Sequence, residues 1–416
     1  MKYLIVGNGI AACGAVEGIR SKDKEGGITI IDGEKRGAYT RPLISYYLSD
    51  PHLYRDINYR SLDFFREQQV KLIPARALHL DPALKRLTLD DGRQLSYDKL
   101  LLATGSTPVQ LPIPGAEQAW VKNFYTLQEA EEIQDELEKV QEVVVVGSGL
   151  IGMKAAEALS KRGCSIHLLE KESQLLPRQL SPGAARLLQD YLSRQGWDII
   201  LGEELTLIHP DHKVELNSHR LIPADLVIIA AGTRPQIELA QEAQVKVNRG
   251  IVVDSYFRTS DDNIYAAGDV AETLNIVSGK HEVMALLPHA HQEGYLAGCN
   301  MAGCNYPDTG NILMNSLSLL SWKICSAGAL EGQGLEFLSW CRKEQLLELM
   351  IKDNYLQGYI AINIPEITGP LTNTIRHKIS IPASKWEEFI AEGPALKHIP
   401  LTYWQELRRI ESYGSN

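Results

Sequence analysis

A single pattern that occurs twice in the chain limits the folds that it can adopt. Each copy has an apolar segment, a turn with two glycines one residue apart, a helix-like segment and a second apolar segment that ends in an acidic residue. The first copy runs from Tyr3 to Asp32 and the second from Val143 to Glu170. Each copy predicts a β-α-β unit of about 30 residues, and two such units predict an α/β protein with parallel sheets.

The glycine turns indicate what the two units bind. The first glycine of such a turn permits a tight bend, the second lets a pyrophosphate approach the backbone, and a small third residue lets the helix pack closely. The helix N-terminus then presents N–H groups and a partial positive charge to the phosphates. We therefore expect two Rossmann-like dinucleotide-binding domains. The turn residues expected at the dinucleotides are Gly7, Gly9 and Ala12 in the first unit and Gly147, Gly149, Ile151 and Gly152 in the second.

The acidic residue that closes each unit is expected to accept hydrogen bonds from ribose hydroxyl groups. In the second unit, Glu170 favours NADH over NADPH, because a carboxylate binds the 2′-hydroxyl group and repels a 2′-phosphate. The nearby cations Lys171 and Arg178 favour the opposite choice. In the first unit either Asp32 or Glu34 could bind the ribose, and the position at the strand end favours Asp32.

Further apolar segments end in glycine turns outside the two units. Residues 100–108 and 226–235 each predict a buried strand that is broken by glycine and proline. Residues 264–270 predict a strand that ends in a glycine and a carboxylate, and a helix is expected over about residues 289–302. After Pro307 the apolar residues alternate, which predicts a mostly antiparallel α+β domain followed by a helical tail.

Four motifs, in their order along the chain, give the sequence a resemblance to a known family. They are G-N-G-I-A-A from Gly7, L-A-T-G-S-T-P from Leu102, G-S-G-L-I-G from Gly147 and I-Y-A-A-G-D-V from Ile264. With these motifs, about residues 1–380 resemble the FAD- and NAD(P)-dependent pyridine-nucleotide disulfide oxidoreductase superfamily. The resemblance implies that FAD and NAD(H) are the cofactors and that NADH transfers a hydride to FAD.

The resemblance also implies how the chain is divided, since in this family it leaves the FAD-binding domain, builds the NAD-binding domain and then returns. The FAD-binding domain is therefore expected to be discontinuous. The expected domains are the first part of the FAD-binding domain at residues 1–110, the NAD-binding domain at 111–238, the second part of the FAD-binding domain at 239–306 and a C-terminal α+β interface domain with a helical tail at 307–416.

Site residues outside the glycine turns follow from the resemblance alone. Asp269 is expected to bind the ribityl chain of FAD, Arg41 to stabilise the anionic reduced flavin by its charge, and His289 to donate a hydrogen bond near the flavin pyrimidine ring. The alternatives are a surface salt bridge for Arg41 and a structural role for His289. The other residues implied are Pro42, Ala103, Thr104, Gly105 and Gly268 at FAD and Gly232 at NAD(H).

The expected electron acceptor is a redox protein. Residues 39–45 are similar to the Y-x-R-P-x-L-S segment of rubredoxin and ferredoxin reductases, and the flavoprotein part of the nitrite reductase large subunit has a related segment. Disulfide reductases of the superfamily carry a redox cysteine after the first unit, but residues 33–60 contain none, so disulfide reduction is not expected. We expect an NADH:acceptor oxidoreductase that reduces rubredoxin, ferredoxin or an iron–sulfur subunit of a larger complex. The alternatives are an NADH:quinone or oxygen oxidoreductase and a flavoprotein subunit with an assembly role.

One position departs from the superfamily. Many members have a glutamate two residues after the second glycine turn, near the nicotinamide ribose, whereas this chain has Lys154. Glu157, one helical turn later, could take its place. The alternative is that both side chains lie on a solvated helix face.

The net charge and the distribution of the cysteines argue against other functional classes of protein. The net charge of −10 argues against a whole-surface attraction to nucleic acid or to an anionic membrane. The sequence shows no secretory signal pattern and no apolar run near the roughly 20 residues of a membrane span, so a cytoplasmic location is expected. The six cysteines are scattered, which indicates reduced thiols, and no metal site is expected.

Overall fold

The computed structural model describes the backbone of residues 1–413 and the side chains of residues 1–410, and it has the α/β architecture that the sequence predicts. The chain forms two compact units, each built from two segments. Unit 1 comprises Met1–Val109 and Thr233–Asn311, and unit 2 comprises Gln110–Gly232 and the chain from Ile312 onward. The four functional domains and their boundaries stay a prediction.

The first segment of unit 1 begins with the predicted β-α-β unit. Most residues of its strands are buried and aliphatic, and small residues form much of the buried surface of its helix. The helices and strands of this segment are β1 (Lys2–Val6), α1 (Ile10–Lys22), β2 (Gly27–Ile31), α2 (Ile44–Ser49), α3 (Phe64–Glu67), β3 (Val70–Ile73), β4 (Ala77–Asp81), β5 (Arg86–Leu89), β6 (Gln94–Ser96), β7 (Lys99–Leu102) and β8 (Ser106–Pro108).

The first segment of unit 2 contains the second predicted β-α-β unit. Its helices and strands are β9 (Val121–Asn123), α4 (Leu127–Glu136), β10 (Glu142–Val146), α5 (Leu150–Lys161), β11 (Ser165–Glu170), α6 (Pro182–Arg194), β12 (Asp198–Leu201), β13 (Leu205–His209), β14 (Lys213–Leu216), β15 (Leu221–Pro223) and β16 (Leu226–Ile229). The four valines of β10 are buried, as expected for β-branched residues in the middle of a parallel sheet.

The second segment of unit 1 returns the chain to the first sheet. Its helices and strands are β17 (Thr233–Pro235), α7 (Glu238–Glu242), β18 (Ile251–Val252), β19 (Ile264–Ala266), β20 (Ala271–Asn275), β21 (Lys280–Glu282) and α8 (Leu287–Met301). β17 pairs antiparallel with β8, which is the last strand before the chain leaves unit 1. α8 begins before the predicted residue 289, because Pro288 fits the first turn of a helix, where no N–H group is needed.

The second segment of unit 2 has the predicted α+β character. Its helices and strands are β22 (Met314–Leu319), β23 (Trp322–Gly328), β24 (Glu336–Arg342), β25 (Gln345–Lys352), β26 (Tyr355–Ile362), α9 (Thr368–Arg376), α10 (Ala383–Glu392) and α11 (Leu401–Tyr413). The five strands form one antiparallel sheet in the order β22-β23-β26-β25-β24. Short 3-10 helices complete the described chain at Arg41–Leu43, Leu137–Lys139, Pro365–Ile367 and Leu396–His398.

The core of unit 1 is a parallel sheet in the order β19-β7-β1-β2-β3, against which α1 and α8 pack. The two helices touch through glycines. A Cβ atom at Gly14 would lie 2.2 Å from the carbonyl oxygen of His291, and one at Gly294 would lie 2.0 Å from that of Ala11. Such distances leave no room for a side chain at either glycine. This close contact therefore fixes the position of α1 relative to α8, and with it the positions of their first turns.

Unit 2 repeats the same arrangement of strands around its glycine turn. Its parallel sheet has the order β12-β11-β10-β16-β9, and β10 lies between β11 and β16 in the same way that β1 lies between β2 and β7. In both units the glycine turn follows the central strand at its carboxyl end, where open α/β sheets bind ligands. Among the described residues, every helix is too short or too polar to cross a membrane.

Candidate cofactor-binding sites

The glycine turn of unit 1 leaves an open space in front of α1. Gly7 has a φ of +105°, and a Cβ atom there would lie 2.1 Å from the carbonyl oxygen of Ala103, so only glycine fits. At Gly9, the N-cap of α1, a Cβ atom would meet none of the described atoms within 4 Å, and none of the described side chains caps the helix. The turn therefore fits a pyrophosphate bound to the first N–H groups of α1.

Asp32 and Glu34, the two candidates for the ribose, have different surroundings. Asp32 is 6% exposed, and its carboxylate accepts hydrogen bonds from the backbone of Lys35 at 2.9 Å and from the side chain of Asn8 in the glycine turn at 3.1 Å. Glu34 is exposed and accepts a 2.7 Å hydrogen bond from the hydroxyl of Tyr39. This difference favours Asp32, because only Asp32 contacts the turn.

Arg41 forms the salt bridge that the sequence left as its alternative role. Its guanidinium lies 2.7 Å from the Glu34 carboxylate and donates a 3.0 Å hydrogen bond to the Tyr39 hydroxyl. Pro42 follows it in the short 3-10 helix. The positive charge of Arg41 also acts on Asp269, whose pKa it lowers against the larger effect of burial. A role of Arg41 at the flavin stays a prediction.

The two remaining motifs of unit 1 are joined by hydrogen bonds. The hydroxyl of Ser106 donates a 3.3 Å hydrogen bond to the backbone oxygen of Asp269, and the backbone N–H of Ala267 donates one of 3.2 Å to the oxygen of Leu102. Gly105 has a φ of +68° and turns the chain between these contacts. The predicted FAD residues Ala103, Thr104, Gly105, Gly268 and Asp269 therefore lie together at one edge of the sheet.

Asp269 is half-buried at this edge, and burial raises the pKa of its carboxyl group. A second carboxyl group, Glu293 of α8, lies behind it at 3% exposure and accepts a hydrogen bond from the backbone of Gly268. Glu293 is not among the site residues that the sequence predicts. A charged residue beside the contact glycine Gly294 is the one local signal that could have pointed to a buried position.

His289 lies in the first turn of α8 and is 8% exposed. It is one helical turn before Glu293, so both side chains belong to the part of α8 next to the Gly268–Asp269 turn. This position is compatible with either role considered for the histidine, and its contact with flavin stays a prediction.

The glycine turn of unit 2 has the same geometry. Gly147 has a φ of +102°, and a Cβ atom at Gly152 would lie 1.9 Å from the carbonyl oxygen of Gly147. At Gly149 a Cβ atom would meet none of the described atoms within 4 Å. Ile151 is half-buried in the first turn of α5, and Gly232 lies exposed after β16 with a φ of +105°. The space before α5 therefore fits a second pyrophosphate.

Glu170 joins the end of β11 to this turn. Its carboxylate accepts hydrogen bonds of 2.8 Å from both the backbone N–H and the hydroxyl of Ser148, and one of 3.0 Å from the backbone of Glu172. The residue is 7% exposed. Glu170 therefore holds the turn in place, in addition to its predicted contact with a ribose.

Lys154 and Glu157 do not lie on a solvated helix face, and that interpretation was wrong. Glu157 is 3% exposed, forms salt bridges with Lys154 and Lys161 and accepts a 2.8 Å hydrogen bond from the backbone of Leu320. Lys154 donates a 3.1 Å hydrogen bond to the backbone oxygen of Ser318. Burial opposes the charge of Glu157, but the hydrogen bonds from both lysines outweigh it and lower the pKa of its carboxyl group. The pair thus connects α5 to the end of β22 and to the turn that follows it.

Replacing Glu157 with glutamine is expected to destabilise unit 2 by about 1.5–3 kcal/mol at neutral pH, the usual range for a hydrogen bond to a charged group. Because the pKa of Glu157 is lowered on folding, its stabilising effect is present above the ordinary glutamate pKa of about 4.3 and is lost as the pH falls through the lowered value. The difference between wild type and variant should therefore shrink in acid.

Tryptophan fluorescence during urea unfolding measures this difference, because all six tryptophans lie in unit 2. The exposed residue Glu138 provides the matched control, and Glu138→Gln should leave the unfolding midpoint unchanged. Equal loss of stability by Glu157→Gln at neutral and acid pH would contradict the ionic role of this carboxylate.

Several known proteins of one class are similar to this chain in sequence or in structure. The assimilatory nitrate reductase electron transfer subunit of Bacillus subtilis (strain 168) is 30% identical over 79% of this chain and 43% of its own length. The NADH-dependent phenylglyoxylate dehydrogenase subunit epsilon of Aromatoleum evansii is 32% identical over 73% of this chain and 72% of its own. The crystal structure of NADH:rubredoxin oxidoreductase from Clostridium acetobutylicum matches with a TM-score of 0.76 at 25% identity and covers 90% of this chain and 95% of its own.

Two Rossmann-like units, each with a glycine turn open to a dinucleotide and a carboxylate beside it, define a protein that binds two dinucleotide cofactors. The chain belongs to the pyridine nucleotide-disulphide oxidoreductase family, whose model matches residues 1–294. Membership confirms FAD and NAD(H) as the cofactors. The chain spans less than half the length of the nitrate reductase subunit that it matches.

Proposed function

We propose that this protein takes electrons from NADH through FAD and passes them to a redox protein, either rubredoxin, ferredoxin or an iron–sulfur subunit of a larger complex. The observation that supports this most directly is the pair of open glycine turns, one in each unit, since hydride transfer between two dinucleotides needs two such sites. We further propose that it acts in the cytoplasm.

Unit 1 would hold FAD through residues of both its segments. The N–H groups of α1 would bind the pyrophosphate, Asp32 the adenosine ribose and Asp269 the ribityl chain. Bound FAD would supply the hydride acceptor and the electrons for one-electron partners. The Thr104 hydroxyl donates a 2.8 Å hydrogen bond to the backbone oxygen of Gln236, which orders the turn that would pass near the flavin.

Charge at the reduced flavin would be balanced by two features of unit 1. The guanidinium of Arg41 already acts on Asp269, and it would offset the negative charge that reduction adds. The N-terminal N–H groups of α8 would act in the same direction, because a helix N-terminus carries a partial positive charge. His289, in this first turn, would donate a hydrogen bond to the same end of the flavin.

Unit 2 would hold NADH in a similar way, with the N–H groups of α5 on the pyrophosphate and Glu170 on the adenosine ribose. Lys154 is joined to Glu157 and Ser318, so we propose that neither Lys154 nor Glu157 replaces the family's glutamate at the nicotinamide ribose. Nicotinamide binding would then depend on other groups of the chain.

The part of unit 1 around the first glycine turn offers no thiol suited to be the electron acceptor. Residues 33–60 contain no cysteine. Cys13, in the first turn of α1, is fully buried, and burial raises the pKa of its thiol to about 12. At neutral pH it would carry almost no thiolate, which is the reactive form. The relatives named NADH:rubredoxin oxidoreductase and assimilatory nitrate reductase electron transfer subunit support a redox protein instead.

Anaerobic titration tests the proposal. One equivalent of NADH should bleach the flavin absorbance of the purified protein, and oxidised rubredoxin or ferredoxin should then restore it while becoming reduced. Gly149→Val is the matched control, because its side chain would enter the open space before α5 without meeting a described atom at Cβ. This variant should stay yellow with NADH and still bleach with dithionite.

Other outcomes separate the rival functions. A yellow wild-type protein that NADH does not bleach would indicate an assembly role. Reoxidation by a quinone or oxygen but not by either redox protein would indicate the other acceptor class. A protein that binds no flavin after reconstitution would overturn the FAD site itself.

A further inference from the structure

A buried carboxyl group supports the Gly268–Asp269 turn from behind. One carboxylate oxygen of Glu293 accepts a 2.9 Å hydrogen bond from the backbone N–H of Gly268, and the other accepts one of 2.9 Å from the hydroxyl of Thr273. Gly268 has a φ of +78°, and a Cβ atom there would lie 3.0 Å from the side chain of Ala11 in α1. The turn is thus confined between Glu293 on one helix and Ala11 on another.

Glu293 can satisfy both partners in either protonation state. As a carboxylate it accepts both hydrogen bonds. As a neutral acid its carbonyl oxygen still accepts from Gly268, and its hydroxyl group can donate to the oxygen of Thr273 after that hydroxyl rotates. A proton can therefore be gained or lost at Glu293 while the turn keeps its contacts.

The groups around Glu293 favour its neutral form. Burial is the largest effect and raises the pKa of its carboxyl group to about 8. The hydrogen bonds from Gly268 and Thr273 oppose this shift, whereas the negative charges of Asp308 and Asp269 add to it. On its own helix, His289 lies one turn earlier. From α1, alanines contact α8 at Gly294 and Gly298, whereas Glu17 of α1 is paired with Arg60 and His291.

We propose that Glu293 is a positioning residue for FAD and that it takes up a proton when FAD binds to the Gly268–Asp269 turn. The inference depends on the proposed FAD site. Bound FAD would remove water from Asp269 and bring its own negative charge to unit 1. A second negative charge behind the turn then becomes more costly, so the proton is held more tightly in the complex. FAD binding should therefore weaken as the pH rises through the ionisation of Glu293.

Equilibrium binding of FAD to the apoprotein, measured by flavin fluorescence from about pH 6.5 to about pH 9.5, tests this. If binding raises the pKa of Glu293 by about one unit, the Kd should rise roughly five- to tenfold over this range. Glu293→Gln keeps an acceptor for Gly268 and a donor for Thr273 but cannot titrate, so its Kd should stay nearly constant. Glu272→Gln is the control, since Glu272 is a buried carboxylate that binds the backbone of Gly250 instead, and it should behave as wild type.

Calorimetry of FAD binding in two buffers of different ionisation enthalpy gives an independent result on the wild-type protein. Near pH 8.5 it should show an uptake of roughly half a proton, and Glu293→Gln should show none. Equal pH dependence in wild type and Glu293→Gln, or no proton uptake by the wild type, would overturn the proposal while leaving the FAD site intact. Absence of FAD binding at every pH would overturn both.

Discussion

Replacing Asp269 with leucine is expected to give a protein that purifies largely without flavin. The carboxylate would be the hydrogen-bond acceptor for the ribityl hydroxyl groups of FAD, and a hydrogen bond to a charged group contributes about 1.5–3 kcal/mol. The Kd for FAD should therefore rise roughly 10- to 150-fold. Flavin content after purification and fluorescence titration of the apoprotein measure the effect.

The same substitution should not destabilise the apoprotein. Asp269 is half-buried, burial raises the pKa of its carboxyl group, and the charge of Arg41 only partly offsets this. Leucine has a similar volume and no charge to desolvate, so the melting temperature without flavin should be unchanged or higher. Low flavin content together with an unchanged or higher melting temperature would show that the substitution removes a contact with the ligand and does not unfold the protein.

Glu272→Leu provides the opposite pattern as a control. Glu272 is 5% exposed, and its carboxylate accepts hydrogen bonds from the backbone of Gly250 and the side chain of Asn248. Its loss should lower the melting temperature, because it leaves buried donors unpaired, while the folded protein should still bind FAD. An Asp269→Leu protein that keeps its full flavin content would show that this carboxylate does not retain the cofactor.

The sequence predicted those parts of the sites whose residues are close to one another in the chain. Gly7 and Gly147 each follow a strand with a positive φ of more than 100°, and the following helix begins within a few residues. Glycine, strand and helix are thus neighbours in the chain, and the motif can be recognised without knowing any distant contact. The positions of Asp32, directly after β2, and Glu170, at the end of β11, were predictable for the same reason.

The parts that were not predicted depend on residues far apart in the chain. Glu157 contacts Leu320 and Lys154 contacts Ser318. From its own helix alone the pair allows either a site at the nicotinamide ribose or a solvated face, and neither alternative includes these contacts. Glu293 contacts Gly268 from another element. In these cases the hydrophobic pattern shows a polar residue in a helix, and only the tertiary contact shows that the residue is buried.

The double substitution Glu170→Ala and Lys171→Arg is expected to reverse the preference for NADH over NADPH. Without the carboxylate, the 2′-hydroxyl group of NADH loses its acceptor, and the KM for NADH should rise roughly 10- to 150-fold, the equivalent of one hydrogen bond to a charged group. NADPH should gain in kcat/KM, because repulsion of its 2′-phosphate is removed and arginine can bind it.

A structural cost accompanies this change, because Glu170 also accepts both hydrogen bonds of Ser148 in the glycine turn. Ser148→Ala isolates that cost: it removes the hydroxyl donor but keeps the carboxylate. It should weaken NADH and NADPH alike and leave their ratio of kcat/KM unchanged. If the double variant changed both coenzymes by the same factor, as Ser148→Ala is expected to do, Glu170 would act only by holding the turn and another group would recognise the 2′ position.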